Sequence, residues 1–268
     1  MHWTRCRLFS MVLGCVGLAV LTLSCGTVPI TGRQQLQLVP VGQLNAMAVQ
    51  SYSEYLTEHP VSKDQQQVER VRRVGTRIQN GVEEFFRSRG EAHLLNGYQW
   101  EFNFVESDKV NAWCMPGGKV VVYTGILKVA DTDDKLAAVM SHEIAHAVAQ
   151  HGAERMSQAL LVQFGGMALG QALKTRPVET QEAFLKAFNV GSTVGVMLPF
   201  SRVQELEADR MGLIFMAMAG YHPEAAVEFW RTMAEQQRGG AVLEIFSTHP
   251  SDERRIQQIQ QLMPEALR

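Results

Sequence analysis

Asp134-Lys-Leu-Ala-Ala-Val-Met-Ser-His142-Glu143-Ile-Ala-His146-Ala-Val-Ala-Gln150 is the stretch on which the reading of this chain turns. Thr132-Asp133 just before it offers helix caps, so the segment predicts a helix from about Asp134 to Gln150. Leu136, Ala137, Val139, Met140, Ile144, Ala145, Ala147 and Val148 leave that helix apolar nearly all round, which predicts burial. Residues four apart share a helix face, so His142 and His146 reach one ion together. Glu143 projects beside that face, within reach of a water polarised by the ion. Two surface histidines are the bland alternative. A buried helix does not carry two imidazoles and a carboxylate without partners, and this favours a metal site.

The helix-borne pattern suits zinc, one ion per chain. A catalytic zinc takes three protein ligands and keeps one position open, whereas a structural zinc is closed by four and needs no glutamate beside its first histidine. Gly152 stands where a third histidine close to the helix would be needed, and His151, nine residues after His142, is out of helical phase with it. His151 is therefore expected to face away, at the surface or behind the ligands. The third ligand must come from later in the chain. Glu205-Leu-Glu-Ala-Asp209 is the acidic cluster on an apolar helix there. Glu205 and Glu207 lie about 200° apart around a helix axis, while Glu205 and Asp209 share a face. That phase makes Glu205 the ligand, Asp209 a carboxylate that orients a ligating histidine, and Glu207 a solvated or structural residue.

Outward from this centre, the period changes along the chain. Residues 41–59 and 64–89 are helical in pattern; in the second, Val68, Val71, Val74, Ile78, Val82 and Phe85 form an apolar stripe for core packing. Tyr98, Trp100, Phe102 and Phe104 alternate with polar residues as a half-buried strand. After a loop with Pro116-Gly117-Gly118, Lys119–Tyr123 reads as a second strand. It is either an edge along which an extended substrate pairs, with Asn111, Gly118, Val120 and Val121 as contacts, or an interior strand. Helices follow over 153–174, 182–199, 201–218, 223–237 and 251–262, and 238–250 is a loop. The first two are apolar, rich in small residues and too short to span a bilayer; they read as buried or membrane-facing. The class is mostly α with a small β-sheet, an α+β zincin-type architecture. His249, in a Pro-containing loop, reaches the zinc or a developing oxyanion, or else caps a turn.

Composition is that of a globular chain: 268 residues, 46% hydrophobic and 19% charged. The formal net charge of -2 excludes the basic footprint of a nucleic-acid binder. Residues 1–24 differ from the rest. Arg5 and Arg7 precede the apolar run Met11–Leu23, then come Ser24 and Cys25, as in an export signal ending at a lipidated cysteine; an N-terminal membrane anchor is the alternative. Thr22 and Leu23 are exchanged relative to the common order before such a cysteine. With Cys6 and Cys15 removed, Cys25 and Cys114 remain, which gives no disulfide framework and makes Cys114 a small buried residue. Residues 25–40 are then a lipidated N-terminus and tether, and 41–268 the metal-binding domain.

Pro29-Ile-Thr-Gly-Arg33, Asn111-Ala-Trp-Cys-Met-Pro-Gly-Gly118, His142-Glu-Ile-Ala-His146, Ser201-Arg-Val-Gln-Glu-Leu-Glu-Ala-Asp209 and Ser247-Thr-His-Pro250 together resemble the family of CAAX prenyl proteases and HtpX-like zinc metallopeptidases. The likeness is greatest to its small periplasmic lipoprotein branch, which includes LoiP-like proteins. The resemblance implies zinc on His142, His146 and Glu205, Glu143 as general base, and hydrolysis of misfolded or membrane-associated envelope proteins. Its partners would be protein or peptide substrates and a membrane, held through the lipid on Cys25 at the periplasmic face, in the outer membrane. The competing class is a lipid-anchored chaperone or binding module with structural zinc. The helix-repeat domain of some relatives does not follow the Ser247–Pro250 motif here.

Overall fold

In this computed structural model the described residues are 25–174, 198–239 and 253–268, with a few between them that include Glu244, Ile245 and His249. The expected signal, most of the helix read over 182–199 and most of the 238–250 loop lie outside them. In chain order the elements are β1 (Cys25–Thr27), β2 (Gln34–Leu36), α1 (Val41–Glu58), α2 (Gln65–Ser88), β3 (Glu101–Val105), β4 (Ala112–Met115) and β5 (Lys119–Tyr123). They continue with α3 (Asp133–Val148), α4 (His151–Leu173), α5 (Leu198–Met218), α6 (Ala225–Arg238) and α7 (Glu253–Ala266). The chain is mostly helical with two small sheets, as its periodicities predict.

Two features depart from the sequence reading. The segment 25–40 is folded rather than a tether: β1 and β2 pair antiparallel, and Val28 is fully buried. The second departure concerns the sheet. Residues 112–115, read as loop, form β4, which returns through the Pro116–Gly118 turn as a hairpin with β5. Gly117 and Gly118 take φ of 80° and 86° there, a left-handed backbone that glycine adopts without a Cβ clash. The strand order is β3-β5-β4, so Lys119–Tyr123 is the central strand and all five of its residues are buried. The substrate edge assigned to Gly118, Val120 and Val121 is corrected by this: both sides of β5 already carry ladder hydrogen bonds.

The period-2 alternation of the sheet divides the core. Phe102, Phe104, Val120, Val122 and Ala112 face the helices, together with Val68, Val71, Val74, Ile78, Val82 and Phe86 of α2. Phe86, rather than Phe85, completes the buried stripe. Val105, Val121 and Tyr123 face the other way onto Tyr52 of α1. α3 lies inside the first cluster, packed on α5, α6, α2 and β4. Thr132 caps it by accepting a bond from the Lys135 amide, and Asp133 and Asp134 sit at its positive end. Arg70 and Arg73 of α2 hold Asp133 at 2.7 and 2.6 Å, which fixes the start of the helix.

Gly212 sets how closely α5 approaches α3. A Cβ on it would stand 3.2 Å from both Cα and N of His142. Gly212→Ala should therefore lower stability by about 1–3 kcal/mol through overpacking. It should also weaken metal binding, because Glu205 and Asp209 ride on the displaced helix. A thermal melt and a zinc titration check this; an unchanged midpoint with unchanged affinity would mean that the contact has slack.

Candidate metal centre

The α3–α5 contact places a ring of donors in the core. His142, His146, Glu205 and His249 offer ligand atoms that all lie within 4.8 Å of one another, and all four residues are buried. His142 Nε2 stands 3.1 Å from His146 Nε2 and 3.3 Å from His249 Nδ1. Glu205 approaches His142 at 3.3 Å, His146 at 3.2 Å and His249 at 3.0 Å. Zinc–nitrogen bonds of about 2.0–2.1 Å at tetrahedral angles put neighbouring donors about 3.3 Å apart. The spacing and the chemistry of the set therefore fit one zinc ion. Sequence reasoning selected three of these groups as ligands and left His249 between zinc, oxyanion and turn cap; the structure brings it into the cluster.

His142 is backed directly by a carboxylate. His142 donates from Nδ1 to Asp209 at 3.0 Å, which leaves Nε2 for the ring of donors. Asp209 in turn accepts two bonds of 2.8 Å from the buried Arg255, whose guanidinium lies 3.6 Å over the Trp230 ring. Arg255 also reaches Glu205 at 3.2 Å. Sequence reading missed this arginine: it sits on a polar terminal helix and nothing local marks it as buried.

Of the two places expected for His151, the surface and behind the ligands, the structure shows the second, with the ring turned toward them rather than away. The phase argument assumed a continuous helix, but α3 stops at Val148 and Gln150 takes a left-handed φ of 58°. A new helix then begins at His151. This break returns its imidazole to His146, with the two Nδ1 atoms 2.8 Å apart. His151 Nε2 meets Glu207 at 3.2 Å, so Glu207 is buried and structural rather than solvated. Asn111 donates from its amide to Glu244 and accepts from the Ala112 N–H at its carbonyl.

Electrostatics separate the roles of the acidic groups. Burial opposes ionisation of Glu205, yet bonds to His142, His146 and His249 outweigh it and hold the carboxyl far below its usual range. For Glu143 burial dominates and raises the pKa, against opposition from His249 and His142. Glu143 Oε1 lies 3.3 Å from His249 Nε2. One carboxylate is thus held ionised among donors, and its neighbour is brought toward the range useful for proton transfer. Burial lowers His146 well below its usual value. His142, also pulled down by burial, is carried the other way by Asp209 and Glu205 to about 9.

The sequence is similar to those of known peptidases. A model of peptidase family M48 matches residues 72–263. Mitochondrial metalloendopeptidase OMA1 of Schizosaccharomyces pombe is 39% identical over 174 residues, 64% of this chain and 49% of that protein. Metalloendopeptidase OMA1 of Bos taurus is 30% identical over 246 residues, 90% of this chain and 46% of that one. The beta-barrel assembly-enhancing protease of Escherichia coli is 32% identical over 165 residues, 59% of this chain and 33% of that protein. The chain spans about half the length, or less, of these curated relatives.

Asp209→Ala should weaken zinc binding by roughly 10–100-fold, since it frees the His142 ring and strands Arg255. Glu205→Ala should abolish tight binding. Equilibrium dialysis against a chelator separates the two, and a fully loaded Glu205→Ala protein would remove that residue from the ligand set.

Proposed function

The chain belongs to peptidase family M48, and on that footing we propose that it is a zinc-dependent endopeptidase with His142, His146 and Glu205 as ligands and Glu143 as general base. The observation that carries this is the buried Glu143 carboxylate beside a donor set of zinc dimensions. Zinc bound there would polarise the scissile carbonyl and lower the pKa of water toward ~7. Glu143 takes a proton from the attacking water and returns it to the leaving amide nitrogen as the C–N bond breaks. Asp209 keeps the His142 proton on Nδ1, and the packing of α3 holds the constellation in place. An extended peptide has an edge available in β4, which packs on α3; among the described residues no strand pairs with its other side.

One observation favours a second reading. His249 completes a set of four protein donors, which is how structural zinc sites are closed. In the peptidase reading it occupies the corner that water needs. Two variants measured together decide. Glu143→Gln should keep zinc and lose ~10²–10⁴-fold in casein hydrolysis. His249→Ala should keep zinc and raise hydrolysis, since the corner opens. A Glu143→Gln protein with full turnover would remove Glu143 from the role of base, and a His249→Ala protein that loses its zinc and its fold would support the structural reading instead.

The finer placement, within the CAAX prenyl protease and HtpX-like group and its small periplasmic lipoprotein branch, is part of the same proposal. So are lipidation at Cys25 and action on misfolded or membrane-associated envelope proteins. Three things support it: the lipoprotein-like run ending at Cys25, the exposure of that residue at the start of β1, and the likeness to a relative named as a beta-barrel assembly-enhancing protease. Among the described residues no helix is long and apolar enough to cross a membrane. Mass spectrometry of the mature protein should find an acylated Cys25 as the first residue. An unmodified Cys25 or a start elsewhere would remove the anchor.

A further inference from the structure

The turn Val28–Arg33 is far from the metal-binding helix in sequence, yet it ends against residues that touch it. Gly32 takes φ 72° and Ile30 φ 68°, a tight reversal closed by bonds from the Val28 N–H to the Arg33 carbonyl and from the Gly32 N–H to the Val28 carbonyl. That reversal directs two side chains inward. Thr31 Oγ1 donates to Glu207 Oε1 at 2.6 Å. Arg33 donates from Nε to Glu207 Oε2 at 2.9 Å, and its two terminal nitrogens grip Glu154 at 2.7 Å each. Glu154 and Glu207 are nearly inaccessible, so Arg33 is a cation that two buried carboxylates share.

Proton placement follows from the ring of donors. If His146 presents Nε2 to the metal, its Nδ1 must carry the proton, and that proton can go only to the unprotonated Nδ1 of His151 at 2.8 Å. His151 then carries its proton on Nε2 and donates it to Glu207 at 3.2 Å. Glu207, held by Thr31 and Arg33, has its oxygens oriented to accept it. Each bond in the series needs the tautomer that its neighbour imposes. His142 gains its orientation directly from Asp209; His146 has no carboxylate of its own and reaches one through His151.

We propose that Arg33, with Thr31, is a positioning residue of the metal centre: acting through Glu207 and His151, the N-terminal turn fixes the tautomer and orientation of the His146 imidazole. The inference rests on the reading of His146 as a zinc ligand. It makes the turn a working part of the site rather than a spacer before it. Outer partners of ligating histidines typically change metal affinity by 10–100-fold when removed.

The test uses the full mature chain with zinc titration against a chelator and the visible absorption of the cobalt(II)-loaded protein, which reports ligand geometry. Arg33→Gln, and the near-isosteric Glu207→Gln as a variant that better preserves packing, should each weaken zinc by roughly 10–100-fold and shift the cobalt bands. Arg33→Lys, which keeps the charge, should recover part of the loss. In a His151→Ala background, Arg33→Gln should add little further loss, because the path it acts through is already cut. Unchanged affinity and cobalt spectrum in folded Arg33→Gln and Glu207→Gln would overturn the inference. So would losses that add in full to that of His151→Ala, since the turn would then act by packing alone. A His146→Ala protein that still bound zinc normally would instead remove the ligand assignment beneath it, a result distinct from either.

Discussion

His142, His146 and the carboxylates Glu143, Glu205 and Asp209 stand within one buried contact between two helices, where His249 joins them, and the rest of the molecule is arranged so that this is tolerable. Taking such groups out of water is costly unless every one of them is paired. The pairing runs in two directions. On one side Arg255, lying over Trp230, supplies a permanent cation to Asp209 and Glu205. On the other, His151 and Glu207 lead to Arg33 at the surface of the core. Between them, the absence of a side chain at Gly212 allows α5 to come near enough to α3 for the two sets of donors to meet.

The parts of this arrangement that were legible in the sequence are those that depend on local period. α3 could be read because apolar residues surround His142 and His146, and the Glu205–Asp209 pair because residues four apart share a face. The central place of β5 was not legible. Ala112–Met115 shows no clean alternation, and whether a strand is an edge depends on what pairs beside it, which a linear pattern does not contain. The direction His151 faces was misread for a different reason. A single left-handed residue, Gln150, resets the helical phase, and glutamine carries no mark of that conformation as glycine would.

Arg33 and Arg255 show the limit most plainly. Both are arginines in polar surroundings, one in a turn and one on an amphipathic terminal helix, and both would be expected in solvent. Arg255 is buried and Arg33 half-buried because carboxylates are brought together from elsewhere in the chain. The motif around Arg33 was visible as a resemblance, but its purpose becomes physical only when Glu154 and Glu207 are found beside it. An ion pair across such a distance in sequence is a property of the fold.

The spans involved have a consequence for how the molecule comes into being. His249 meets His142 across 107 residues, and Arg33 meets Glu207 across 174. Contacts of such long range are entropically expensive to form and slow to appear. A chain that has emerged only as far as α4 holds His142 and His146 but neither Glu205 nor Asp209. The donor set, and whatever reactivity belongs to it, thus comes together only once the C-terminal helices have docked. A chain still emerging, and most exposed to attack by its own kind, has no completed centre with which to attack.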